Sequence, residues 1–117
     1  MKTFHIPLRV IFYKEDGSWV AHCLEFDLCG DGASKEEALR SLFDSIKIQA
    51  RESFLHNNLR NLFTPASSEV QEKFFAGKHT AIQGEMKLTI EPLIIEEAEY
   101  REYSEEAADA GHDPVKA

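Results

Sequence analysis

Apolar residues fall at alternate positions from Phe4 through Ile6, Leu8 and Val10 to Phe12. A period of two puts them on one side of an extended chain, so residues 3–14 read as a strand with one buried face. Pro7 has no amide to donate and marks the first half as an edge or an irregular entry. Asp16-Gly17 follows, a pair that supplies the positive φ a tight hairpin turn needs. The return strand is Ser18 to Cys23, and a bend leads to a third strand near Phe26 to Gly30.

The period then changes. Ala38, Leu39, Leu42, Phe43, Ile46, Ala50 and Phe54 recur at threes and fours, which makes one apolar stripe on a helix from about Lys35 to Leu55. Ser34 followed by Glu37 is a capping box, and Glu36 and Glu37 sit at the positive end of the helix dipole. Three Asn and a Pro between His56 and Ser68 break the pattern. A short helix is expected over Ser68 to Gly77, with Ser68 and Gln71 as a capping pair, Val70 and Phe74 facing inward and Gly77 as the stop. Residues 78–85 read as a loop or irregular strand. Met86, Leu88 and Ile90 alternate with polar neighbours as a last strand, which Pro92 ends or marks as an edge.

The fold class that follows is α+β: a small, mostly antiparallel sheet in the order β-β-β-α-(short α)-β, with one long helix packed on one face. Residues 1–95 form the single domain, and 96–117 are expected to be an acidic C-terminal tail, partly helical or disordered.

Composition adds bounds. The 117 residues are 43% hydrophobic and 29% charged, enough for one core. No run reaches the roughly 20 apolar residues of a membrane span. The alternating N-terminus with His5, Pro7 and Arg9 does not read as a signal peptide, and two Cys without an export signal suggest a cytoplasmic protein with free thiols. The net charge of −8 is uneven: residues 1–95 carry 13 acidic and 11 basic side chains, residues 96–117 carry 8 and 2. Such an end is a poor match for nucleic acid and electrostatically compatible with a basic protein, and its simplest reading is a solvated, solubilising end.

One ordered series is more specific. Tyr13-Lys14-Glu15-Asp16-Gly17, Trp19-Val20-Ala21-His22-Cys23, Gly30-Asp31-Gly32 and Ser34 to Ala38 succeed one another over residues 10–46. This series resembles the HicB-like antitoxin family, with residues about 8–55 most similar. The resemblance implies a partial ribonuclease-H-like fold. It further implies a non-catalytic module that binds and neutralises a small basic mRNA-cleaving toxin of the HicA type. Such antitoxins usually add a DNA-binding segment. Here residues 93–117 are too acidic and too short for a helix-turn-helix, which argues against direct DNA binding. The chain also lacks the Pro of the family's turn after the third strand.

Glu25, Asp27 and Asp31 invite the alternative of a small divalent-metal nuclease, since such an enzyme needs converging carboxylates. They equally suit a turn and a helix start. A third reading is an orphan oligomeric adaptor with no toxin partner. Cys23 and Cys29 are six residues apart, too far for a zinc knuckle, and the five His show no paired spacing. No catalytic residue, metal ligand or cofactor site is therefore assigned. Gly30-Asp31-Gly32 reads as a turn and not a phosphate loop. The candidate partner interface is Trp19, His22, Glu25, Asp27 and Asp31. A sheet with one helix leaves its other face or rim for docking, so self-association as a dimer or tetramer is expected.

Overall fold

The computed structural model describes residues 4–58, 60, 62–82, 88–90 and 93–104. Ten elements follow in chain order. β1 is Phe4–His5, β2 Leu8–Glu15, β3 Ser18–Cys23 and β4 Leu28–Gly32; α1 is Lys35–Leu55 and α2 Ser68–Ala76. β5 is Lys78–His79, β6 Leu88–Ile90, β7 Leu93–Ile95 and β8 Ala98–Glu102. They make an α+β fold with a mixed five-stranded sheet in the order β4-β3-β2-β8-β5 and a smaller sheet β1-β7-β6.

The local signals account for the first half. Asp16 at φ 52° and Gly17 at φ 82° make the two-residue turn that pairs Glu15 with Ser18 and Lys14 with Trp19. Ser34 caps α1, its Oγ accepting from the Glu37 amide at 3.1 Å. The Glu37 carboxylate reaches back to the Ala33 amide at 2.9 Å, one residue earlier than a standard capping box. Ala38, Leu39, Leu42, Phe43, Ile46 and Ala50 of α1 are buried against Val10, Phe12, Ala21 and Cys23 of the sheet.

Four expectations are corrected. The start of the acidic segment is not helical: Ala98–Glu102 is β8, parallel to β2 from Leu8↔Ala98 to Phe12↔Glu102. It lies between β2 and β5, inside the sheet, so the folded body continues past residue 95. Nor is the second face bare. Ile11, which alternation turns away from α1, is fully buried with Leu24, Ala66, Val70 and Phe74, because α2 covers that part of the sheet. The cap of α2 is Ser67 rather than Ser68; its hydroxyl accepts from the Val70 amide at 3.4 Å, and the Gln71 side chain donates to the Ala66 carbonyl at 2.8 Å. The third strand begins at Leu28, two residues later than expected. Met86 and Pro92, parts of the expected last strand, and the tail from 105 onward lie outside the described residues. No described helix is long and apolar enough to cross a membrane.

Candidate functional site

The hairpin register decides which polar groups meet. Tyr13 lies opposite Val20, so its ring is diagonal to His22 on the face away from α1, within reach of an aromatic side chain. Its hydroxyl is 3.1 Å from His22 Nδ1. On the other side His22 Nε2 is 2.8 Å from Oδ1 of Asp27, which occupies the β3–β4 turn at φ 51°. An ionised carboxylate only accepts, so Nε2 carries the proton; in the neutral ring Nδ1 then accepts from the tyrosine hydroxyl. Both ring nitrogens are thus engaged, and His22 keeps no lone pair for a substrate.

Cys29 is the cross-strand neighbour of His22 and is exposed. Partial burial pushes its thiol pKa up, and the charges of Asp27, Asp31 and Glu15 push it in the same direction. Burial is also the main cause that raises Tyr13 to about 12, helped by Cys29, Glu15, Glu69 and Asp27. Both shifts favour the protonated forms, the opposite of the activation a nucleophilic Cys or Tyr receives. Two of these carboxylates, Asp27 and Asp31, flank Cys29 along the end strand β4, whereas Glu15 acts from β2 beside the β2–β3 turn, at the other end of the hairpin from Asp27.

The five candidate residues do not form one patch. His22, Asp27 and Asp31 share the outer face around Cys29. Glu25 is turned to β2, where it accepts from the Arg9 amide at 2.8 Å and from Arg9 Nε at 2.7 Å. With Glu97 and Glu99 it lines a groove of about 380 Å³ that also includes Pro7, Arg9 and Ala98. Trp19 is on the opposite face, half-buried against the main core, with the ammoniums of Lys14 and Lys35 at 5.2 and 5.4 Å from its ring. Among the described residues no three His, Cys, Asp or Glu side chains converge on a metal-sized site. Glu25 and Asp27, both named in the metal-nuclease reading, are turned to different partners, Arg9 and His22.

Several participants escaped the sequence reading. Tyr13 was recoverable, since Asp16-Gly17 fixes the register that places it near His22. Arg101 and Glu102 were not, because their segment was assigned to the tail. Arg101 Nη1 donates to the Phe74 carbonyl at the end of α2 at 3.1 Å, and its guanidinium lies 4.4 Å from the Phe74 ring. Glu102 accepts from Lys35 Nζ at 2.6 Å, which ties β8 to the start of α1. Comparison with protein-family models, with curated proteins and with solved structures gave no match.

Proposed function

We propose that this chain is a HicB-like, antitoxin-type binding module that silences a small basic RNA-cleaving partner by covering it. The observation that carries the reading is the outer face of the end strand β4, where Asp27 and Asp31 flank the exposed Cys29. Carboxylates gathered around a strand edge suit a basic partner twice over. Complementary charge speeds the encounter, and the rim supplies backbone groups for an added strand.

The topology supports the same reading. Three antiparallel strands are followed by a long capped helix and by a return strand parallel to the first, giving β4-β3-β2-β8. This agrees with the partial ribonuclease-H-like order that the resemblance implies. Self-association as a dimer or tetramer through the same rim belongs to the proposal. Catalysis is not part of the proposal.

The test is co-expression with small basic reading frames adjacent to the gene. A partner should co-purify, and its growth arrest should be relieved. The charge reversals Glu15→Lys and Asp31→Lys together should slow association at least tenfold at low salt, whereas Glu72→Lys on α2 should not. If no small basic protein is bound or neutralised, the reading is wrong.

A further inference from the structure

β2 outlasts its neighbour. β8 pairs with it as far as Phe12, the Tyr103 amide donates to the Phe12 carbonyl at 2.8 Å, and β2 then continues to Glu15. The step at the end of β8 is a groove of about 400 Å³ lined by Tyr13, Lys14, Trp19, Lys73, Glu102 and Tyr103. That volume lies in the lower part of the range of small-ligand sites.

Rings and ammoniums alternate in it. Lys14 and Lys35 stand over Trp19, while Lys73 Nζ is 4.2 Å from the centre of the Tyr13 ring and 5.9 Å from that of Tyr103. The carboxylate in the lining, Glu102, is already neutralised by Lys35 at 2.6 Å. Glu15 and Glu69 act on Tyr13 but do not line the groove. Among the described residues Lys14 and Lys73 show no carboxylate within salt-bridge distance.

Such an arrangement favours exchange. An ammonium resting on an exposed ring is worth little, whereas a nucleobase stacked on the same ring gains more. A planar ligand can therefore displace a lysine from its ring, and the freed ammonium can swing on its flexible stem to an anion carried by that ligand. The groove wraps the free edge of β2, with Trp19 and Lys14 on one face of the sheet and Tyr13 and Lys73 on the other, so it selects molecules that join a flat heteroaromatic ring to a phosphate through a spacer such as a ribose. We propose that it binds a nucleoside phosphate, the base stacked on Trp19 and the phosphate held by Lys14 and Lys73. The unit is either a free mononucleotide or one residue of a single strand. The proposal does not depend on the protein-partner reading above.

Trp19 is the only tryptophan of the chain, so its fluorescence reports on the groove. The full chain is titrated with AMP, UMP, adenosine, inorganic phosphate and a short oligoadenylate, with equilibrium dialysis as the second readout. The mononucleotides should quench Trp19 saturably, and adenosine or phosphate alone should bind at least tenfold more weakly. Lys14→Ala with Lys73→Ala should weaken AMP at least fivefold and leave adenosine unchanged, with an unaltered far-ultraviolet spectrum. Trp19→Phe, which keeps a ring, should retain part of the affinity by dialysis. An oligomer that binds tenfold tighter than AMP identifies a strand as the ligand, and equal affinities identify the free nucleotide. The proposal fails if neither the mononucleotides nor the oligomer saturates, or if the double lysine variant binds AMP as the parent does.

Discussion

Replacing Gly30 by Ala tests how α1 is seated on the sheet. A Cβ built on Gly30 would come to 2.2 Å from the Leu42 amide nitrogen, 2.6 Å from the Ser41 carbonyl carbon and 2.7 Å from the Ala38 oxygen. All three are helix backbone, so no side chain can rotate away. Ordinary contact starts near 3.4 Å, and going from 2.2 Å to that distance displaces α1 by about 1.2 Å. A gap of roughly 1 Å forfeits up to about half of the dispersion attraction between facing atoms. Leu39, Leu42, Phe43 and Ile46 all lie on the displaced face. The cost should therefore stand at the top of the overpacking range, about 3 kcal/mol or more, a large part of the roughly 5–15 kcal/mol that holds a domain together. Urea unfolding followed by Trp19 fluorescence and circular dichroism measures it; with a slope of about 1–3 kcal/mol per molar, the midpoint should fall by about 1 M or more. Gly17→Ala is the reference. Gly17 sits at φ 82° with nothing within 4 Å of the added atom, so only backbone strain of about 1–2 kcal/mol is at stake. If Gly30→Ala costs no more than Gly17→Ala, the close approach of α1 to β4 is refuted.

Burial raises the Cys23 thiol from 9.0 to about 12, so its neutral form stabilises the fold fully below pH 9, and that contribution is lost as pH rises toward 12. The loss should be about 4 kcal/mol by pH 12, and alkaline urea titrations of Cys23→Ala should show a correspondingly shallower decline than the parent. Arg101→Ala removes the hydrogen bond to the Phe74 carbonyl and the guanidinium from the Phe74 ring. It should cost about 1–2 kcal/mol, and hydrogen exchange should quicken in α2 more than in α1; equal changes in both helices would contradict the anchoring role.

What was legible in the sequence was local. Asp16-Gly17 fixes its turn by backbone preference alone, and Ser34 with Glu37 fixes the start of α1 within one turn of helix. Those signals place β2, β3 and α1 without reference to anything distant. The outer face was harder, because the side chains that mask it come from elsewhere in the chain. Ile11 reads as a solvent-facing position until α2 is placed over it, and a nine-residue helix with two inward side chains says nothing about which sheet it will cover. The candidate site was divided for a local reason. Trp19 and His22 are three apart on one strand and necessarily face opposite ways, so no patch on one side of the sheet can hold both.

β8 was missed through a slip of phase. His5 pairs with Ile94, an offset of 89, whereas Leu8 pairs with Ala98, an offset of 90. The Ile6 amide donates to the Ile94 carbonyl and the Leu8 amide to that of Glu97, so one extra residue is inserted between β7 and β8 as a bulge. β1 and β2 keep a single alternation across this level, with Ile6, Leu8, Val10 and Phe12 all on the main core. The partner strand cannot. Leu93 and Ile95 point inward before the bulge, Ala98 and Tyr100 after it, and exposed Glu96 and Glu97 absorb the shift. A period-two pattern read along 88–102 therefore stops at Ile95, and the acidic residues beyond it look like a tail. Glu99 is met at 2.7 Å by Arg101 of its own strand, whereas Glu102 is met at 2.6 Å by Lys35 at the start of α1, a neutralisation that exists only once β8 has joined the sheet. β8 is thus specified by its place beside β2 and by Lys35 as much as by its own residues, which is why the charge of the segment concealed it.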